Sequence, residues 1–332
     1  MRHFTHYDPH SLSEALTLLD QHGEKCLLNA GGTDLITALH GEILPVYPEA
    51  IINLKTIPGL DDITCSHDTL CIGATVILTD LAENPIVQEF VPALAAAAQA
   101  VGSPQIRNVA TIGGNLCQNT RCWYYRYPAR LNGGCSLMCP RKGGGACLAV
   151  TGDNRYHAIL GGRKCFAVCP SDTAVVLAAL DASVILLSQQ GERKVPVAKF
   201  YHPLGTVMEK QEILVRIEIP LVRGTLQSFH KYAQRKAIDF AVCSACAVVE
   251  MDGTICRQGS ISLGAVAPGP YCPDIAGLLN GKQLTPELIE SVAQAALNGA
   301  RALSMNAYKI DIAKTLVKDV LYDILQKSEI VN

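Results

Sequence analysis

The sequence predicts an α+β protein of two domains, and three observations predict it. Short apolar strands and helices are mixed through the first 220 residues. Beyond Pro220 the pattern changes to long antiparallel strands followed by helices, as in a separate α+β layer domain. The 332 residues, 49% hydrophobic and 17% charged, supply enough chain for two or three real cores. The boundary falls near Pro220–Gly224, giving domains of residues 1–221 and 222–332.

In chain order, Ser11 with Glu14 three residues later forms a capping box. It opens an amphipathic helix that carries Leu12, Ala15, Leu16 and Leu19 on one side. Cys26 to Ala30 is a short apolar strand, followed by a double-glycine turn and a helix start at Thr33–Asp34. Ala50 to Leu54 is another strand, and Pro58–Gly59 a turn. The stretch ITCSHDTLCIGATVILTDLAE reads as hairpin strands leading into a helix. Val91 to Val101 is a buried, alanine-rich helix, and NVATIGG a strand-like edge running into a second double glycine. Asp172 to Leu180 predicts a helix, Ser183 to Leu187 a strand, and Glu212 to Pro220 a strand that the proline ends. The second domain offers strands turning at Asp252–Gly253, then helices over Pro286–Gly299 and Asp311–Leu325.

Composition excludes several functions. A formal net charge of −2 leaves no basic footprint for nucleic acid. No apolar run is long enough to span a bilayer. MRHFTHYDPHSLSEAL shows no basic-then-apolar signal pattern, so the expected location is the cytoplasm. Fourteen cysteines in such a chain argue against a disulfide framework, because cytosolic thiols are kept reduced. Cys26, Cys65, Cys71 and Cys117 sit among Leu, Ile and Val in expected strands and read as buried small hydrophobes. Cys243-Ser244-Ala245-Cys246 has knuckle spacing, but on a strand its two thiols point to opposite faces, so it reads as packing.

Two glycine pairs and one thiol-rich stretch carry chemistry. Asn29-Ala30-Gly31-Gly32-Thr33-Asp34 follows a strand and opens a helix, so bare N–H groups can approach an anion, with the Thr33 hydroxyl as a further donor. The turn suits a pyrophosphate, although it has neither the G-x-G-x-x-G spacing nor a P-loop lysine. Thr111-Ile112-Gly113-Gly114-Asn115 reads as a second such turn, with Thr111 and Asn115 as side-chain donors. Just after it, Cys122, Cys135, Cys139, Cys147, Cys165 and Cys169 lie in a Gly-, Arg- and Asn-rich loop too poor in apolar periodicity for ordinary core. Such a loop is usually functional. Four thiolates around an iron–sulfur cluster or a zinc ion would tie it together.

With LLNAGGTDL and TIGGN in view, the chain resembles the FAD-binding medium subunits of molybdenum hydroxylases, the xanthine oxidase family. The likeness covers essentially the whole chain, including FHKYAQRKAIDFAVCSA. It implies an FAD-binding domain of the vanillyl-alcohol-oxidase (PCMH) type followed by a small α+β domain of the CO dehydrogenase flavoprotein C-terminal type. It also implies that Leu28, Asn29, Ala30, Gly31, Gly32, Thr33, Asp34 and Leu35 lie along the FAD pyrophosphate, and that Thr111, Gly114 and Asn115 form a second clamp. Asp172 matches a position near the FAD, Val101 and Leu214 match apolar contacts on it, and Lys231 matches a lysine near the flavin ring. The alternatives are plain core for Val101 and Leu214 and a solvated strand lysine for Lys231.

The loop, at about residues 118–170, resembles that of the subfamily of 4-hydroxybenzoyl-CoA reductase and certain bacterial aldehyde oxidoreductases, which implies a [4Fe–4S] cluster. Its implied ligands are Cys122, Cys139, Cys147 and Cys165, with Cys135 the rival of Cys139 and Cys169 excluded. Zinc remains the alternative metal. The Trp123 to Tyr127 aromatic run reads as apolar cover or a subunit contact, and Arg155 and His157 as solvated or structural.

The function implied is an electron-transfer subunit. The chain shows neither molybdenum-cofactor motifs nor a plant-type cysteine run for [2Fe–2S] centres. The expected partners are therefore a molybdenum-cofactor large subunit, a [2Fe–2S] small subunit and an external carrier such as NAD or ferredoxin. The competing readings are a self-sufficient FAD oxidase, for which no acid/base pair is evident, and a zinc-stapled flavin scaffold.

Overall fold

Parallel strands need a crossover of a dozen or more residues between them, and the N-terminal hundred residues supply these. The computed structural model describes residues 1–128, 138–222 and 224–331. Strands β1 (Thr5–Tyr7), β2 (Cys26–Asn29) and β3 (Ala50–Asn53) form a parallel sheet of order β1-β3-β2. The helix Leu12–His22 crosses from β1 to β2 and buries Ala15, Leu16 and Leu19 with Ala50 and Ile52. Its Ser11 cap accepts the Glu14 N–H. The Glu14 carboxylate, however, takes the His10 N–H at 2.8 Å, so the reciprocal half of the expected capping box is displaced by one residue.

Beyond β3, the hairpin of β4 (Ile63–Cys65) and β5 (Thr69–Gly73) leads into helices Leu78–Glu83, Pro85–Phe90 and Pro92–Gln99. Later come β6 (Ser183–Ser188), β7 (Gly191–Pro196), the small pair β8 (Tyr201–His202) and β9 (Gly205–Thr206), and β10 (Ile213–Pro220). They complete an antiparallel sheet of order β4-β5-β10-β6-β7. The helix Asp172–Ala179 is buried at every position, which is why its apolar sequence shows little periodicity. Strand β7 escapes a pattern reading because Gly191 to Lys194 are all exposed.

Strands β11 (Thr225–Tyr232), β12 (Cys243–Asp252), β13 (Ile255–Gly264) and β14 (Lys282–Gln283) make an antiparallel meander. Alternate residues of β12 enter two different cores. Cys243, Ala245 and Ala247 pack with helices Pro286–Ala296 and Tyr308–Val331, while Cys246 joins the core built around Asp172–Ala179. The knuckle-like spacing is therefore two packing thiols on opposite faces. Cys26 is buried and Cys71 half-buried. Cys65 and Cys117 depart from the sequence expectation: both are exposed, Cys65 on the edge strand β4 and Cys117 at a helix end.

NVATIGG also departs from it. Asn108 and Val109 form a turn, Thr111 makes an isolated bridge with Ile77, and the glycines lie in the helix Ile112–Cys117. Thr111 caps that helix through the Gly114 N–H, a local bond that outweighs the weak helix propensity of two glycines. Both glycine pairs are fixed by close backbone approach. A Cβ on Gly113 would stand 2.7 Å from the Ala74 carbonyl oxygen, and one on Gly31 only 2.3 Å from that of Val109. The second contact presses the first glycine loop against the segment that delivers the second.

The two domains are also joined by Lys309, a fully buried residue at the start of the C-terminal helix. Its ammonium donates to the carbonyls of Tyr156 (3.3 Å), His157 (3.0 Å) and Ala265 (2.5 Å). Burial pushes its pKa down from 10.5 to about 8. Between those values the unfolded chain binds the proton that the folded chain has lost, so stability rises with pH across the window.

Two measurements check these contacts. Gly31→Ala lowers stability by about 1–3 kcal/mol in guanidinium denaturation, the usual cost of forcing volume into a packed place. Gly277→Ala, where an added Cβ meets nothing within 4 Å, leaves stability unchanged or slightly raised. Relative to Lys309→Met, the wild-type chain gains stability as pH climbs from about 8 to about 10.5; a difference that shrinks over that range would contradict the buried ammonium.

Candidate functional site

Strand β2 ends at Asn29 and releases the chain into a loop that re-forms as the helix Leu35–His40. Gly32 takes φ +69°, a left-handed conformation that costs glycine little. Among the described residues the backbone N–H groups of Gly31, Gly32 and Thr33 have no acceptor, whereas Ile36 N–H bonds the Gly32 carbonyl. Nearby the buried Asn29 Oδ1 also lacks a partner. Unpaired polar groups grouped at a groove are donors and acceptors held ready for a ligand.

The second motif behaves differently. The N–H groups of Ile112, Gly113, Gly114 and Asn115 are all taken, by Val76, Ala74 and Thr111. The expectation that this turn offers bare amides is therefore corrected: the carbonyls of Val76 and Ala74 take the first two, and Thr111 takes the next two. Asn115 is positioned instead, its Oδ1 accepting from Ser171 (2.6 Å) and Thr173 (2.8 Å), which leaves its side-chain NH2 as the available donor.

These two motifs wall one groove of about 410 Å³. Its lining contains every residue from Leu28 to Leu35 together with Val101, Thr111, Gly114, Asn115, Asp172 and Lys231. Of the residues expected at the cofactor, only Leu214 is absent. It lies at 4% exposure inside the main core, opposite Leu186 on β6. Sequence reasoning missed Arg121, Ile238 and Phe240, which line the same groove from distant stretches of chain. The Arg121 guanidinium stands 4.4 Å from the Phe240 ring centre, a cation–π contact across the groove mouth.

Lys231 is not a solvated strand residue. Its Nζ donates to Asp172 Oδ2 at 2.6 Å and to the Ala100 carbonyl at 2.9 Å, and both side chains are nearly buried. Burial raises the Asp172 carboxyl above the usual range, and the Lys231 ammonium only partly pulls it back. A carboxyl held above its usual range by burial beside a single counter-ion is a pattern common where a buried charge serves a site.

Asp34 lines the groove, but its carboxylate turns toward the cysteine segment. It accepts from Asn119 N–H (2.8 Å), Arg121 Nη1 (2.9 Å) and Arg126 Nη2 (2.5 Å). Burial lowers the Arg121 pKa to about 10, against the opposing pull of Asp34. Arg121 and Asp172 also line a second cavity of about 720 Å³, which Cys122, Trp123 and His157 line as well.

The four expected thiols stand in two pairs. Cys122 and Cys139 share a small apolar cluster with Ile43, Tyr125 and Leu148. Cys147 hydrogen-bonds Cys165, which brings the Cys165 thiol down to about 5, helped by the Ala167 N–H and by Arg141, while the Cys147 thiol is raised. Burial pushes Cys122 up to about 11. The Lys142 and Gly144 N–H groups fold back onto the Cys139 carbonyl at 2.8 and 3.0 Å, and a Cβ on Gly144 would collide with Met138. Cys169 sits apart in the main core, beside Tyr201. Cys135 lies outside the described residues. Among the described residues no three Cys, His, Asp or Glu side chains are grouped closely enough to hold one metal ion.

His157, expected to be solvated or structural, is 2% exposed, and its Nε2 lies 3.2 Å from Cys122 Sγ. Trp123 packs edge-on against its ring at 5.5 Å, and Tyr124 beside it. Arg155 is exposed and paired with Asp153. No helix among the described residues is long and apolar enough to cross a membrane.

Comparison with known proteins agrees with this geometry. Residues 2–222 match the family described as the FAD binding domain in molybdopterin dehydrogenase, and residues 228–324 match the CO dehydrogenase flavoprotein C-terminal domain. The aldehyde oxidoreductase FAD-binding subunit PaoB of Escherichia coli K12 is 34% identical over 88% of this chain and 89% of its own. The carbon monoxide dehydrogenase medium chain of Hydrogenophaga pseudoflava is 29% identical over 96% of each. The solved structure of the Hydrogenophaga pseudoflava carbon monoxide dehydrogenase lacking the Mo-pyranopterin moiety superposes with a TM-score of 0.77, at 26% identity, over 98% of both chains. The chain therefore belongs to the family of FAD-binding domains of molybdopterin dehydrogenases, continued by a CO dehydrogenase flavoprotein C-terminal domain.

Proposed function

We propose that this chain is the FAD-carrying electron-transfer subunit of a multisubunit molybdenum hydroxylase, and that it also holds a [4Fe–4S] cluster through Cys122, Cys139, Cys147 and Cys165. The observation that carries the reading is an adjacency: the groove walled by both glycine motifs shares Arg121, Pro170, Asp172, Asp239 and Phe240 with a cavity that Cys122 lines. Bound FAD exchanges electrons singly or in pairs, which suits a subunit placed between iron–sulfur centres and a two-electron carrier.

On this reading the free N–H groups of Gly31, Gly32 and Thr33 bind the pyrophosphate, and the Asn115 NH2 with Thr111 and Gly114 forms the second wall. Val101 covers an apolar edge of the cofactor. Lys231 and Asp172 hold a fixed dipole at its inner end. The residues fit the cofactor because they leave unpaired donors and an orphaned Asn29 oxygen facing one groove. The domain boundary near Pro220–Gly224 places the Lys231 strand in the second domain, so the groove is closed by both.

The thiols suit a cube better than a single ion. A zinc ion draws four ligands to about 2.3 Å from one point. A [4Fe–4S] cube offers four separate corners, so its thiolates stand farther apart. The segment is also cationic: between residues 118 and 170 the sequence places Arg121, Arg126, Arg130, Arg141, Lys142, Arg155, Arg163 and Lys164 against Asp153 alone. Positive surroundings favour the thiolates and the negative charge of a thiolate-bound cluster. Its partners on this reading are a molybdenum-cofactor large subunit, a [2Fe–2S] small subunit and an external carrier such as NAD or ferredoxin. The abundance of free thiols suits the cytoplasm.

Anaerobically purified protein should contain about four irons and four sulfides per FAD, the content of one [4Fe–4S] cluster. Cys139→Ser abolishes the iron, and Cys135→Ser retains it. Zinc in place of iron, or a colourless chain, would sink the reading. In the groove, Lys231→Met leaves Asp172 a buried carboxylate without a counter-ion and costs about 3–5 kcal/mol. Asp172→Asn placed in the same chain restores most of that loss, read in a double-mutant denaturation cycle together with FAD retention on desalting.

A further inference from the structure

His157 has no part in the flavin groove, yet its surroundings fix it more firmly than packing alone requires. Its carbonyl accepts two donors from the C-terminal domain, Lys309 Nζ and Asn306 Nδ2, each at 3.0 Å. Its own N–H bonds the Asn154 carbonyl at 2.9 Å. Asn154 is itself fully buried and is tied to Ser304 and Met305. The ring is clamped edge-on by Trp123. These contacts set both the backbone and the plane of the imidazole, and they direct Nε2 at Cys122 Sγ, 3.2 Å away. The other nitrogen, Nδ1, is buried with no partner. An imidazole with one nitrogen empty and the other on sulfur is the tautomer that carries its proton on Nε2 when the sulfur is a thiolate acceptor.

We propose that His157 is a positioning residue that donates an Nε2–H···S hydrogen bond to the Cys122 ligand and thereby raises the reduction potential of the cluster. The proposal rests on the [4Fe–4S] reading above. The reason is electrostatic. Reduction adds negative charge that spreads onto the ligand sulfurs, and a donor aimed at one of them stabilises the reduced state more than the oxidised one. Of the four proposed ligands, Cys122 is the one that lines the cavity next to the flavin groove, and His157 lines it beside Cys122. The hydrogen bond therefore acts on the proposed ligand that borders the cavity beside the groove.

The test uses the anaerobically purified protein and follows the EPR signal of the reduced cluster during a mediated redox titration. Iron and sulfide are first measured on the wild type, and their absence would overturn the cluster reading itself. With the cluster present, His157→Phe keeps the packing against Trp123 but removes the donor. The expected result is full iron content with the reduced fraction at a fixed potential lowered about tenfold, a fall of about 59 mV for one electron. His157→Gln keeps an N–H donor and stays near the wild-type potential. An unchanged potential in His157→Phe with its iron intact, or equal shifts in both variants, would overturn the hydrogen bond. If His157→Phe loses its iron, retention of iron and potential by His157→Gln supports the proposal, and loss in both variants reduces His157 to a structural residue.

Discussion

Three donors from the cysteine segment, the Asn119 N–H and the guanidinium groups of Arg121 and Arg126, converge on the Asp34 carboxylate at the end of the first glycine loop. The carboxylate is 15% exposed and the two arginines 28% and 17%, so the cluster works in a partly dry setting where charge-assisted bonds are strong. Around this point the groove and the thiol loop keep a fixed relation. Arg126 also holds the Thr120 carbonyl, and Tyr125 bonds Asn119, so the short helix carrying them cannot rotate without breaking the set. That helix begins immediately after Cys122.

Two further constraints complete the frame, one a close approach of backbones and the other a set of side-chain donors on backbone carbonyls. Gly31 passes so close to Val109 and Ala110 that no side chain fits, which fuses the two glycine motifs into one wall. Lys309 and Asn306 seize the carbonyls of the 156–158 segment from the opposite domain. The long irregular loop is thus held at its start by Asp34 and near its end by the C-terminal domain. The described parts of this segment, 118–128 and 138–170, show little hydrophobic periodicity and are held by polar anchors at identified points.

The separation of roles follows from this arrangement. The first glycine loop keeps its amides free, and the second spends its own on the Val76 and Ala74 carbonyls and on Thr111, and positions Asn115 instead. Sequence likeness between two GG motifs therefore conceals two different physical devices. Lys231 shows the same point from another side. Its strand position is what a solvated lysine would have, but the partner that buries it, Asp172, lies 59 residues away.

Local pattern alone determined the α+β class, most element positions, the opposed faces of Cys243 and Cys246, and the glycine loop that ends β2. These depend on periodicity, caps and turns, whose range is a few residues. The family likeness added the rest of the groove list, and the structure gathers all of it except Leu214. Only the tertiary structure decided that the second glycine pair lies in a helix, that Cys117 is open to the groove, that Arg121 and Phe240 close its mouth, and that His157 faces Cys122. Each of these turns on a partner far away in the chain: Ala74 for Gly113, Asp34 for Arg121, Lys309 for His157. A hydrogen bond or a close backbone approach between distant segments leaves no period in the sequence, so it becomes visible only once the chain is folded.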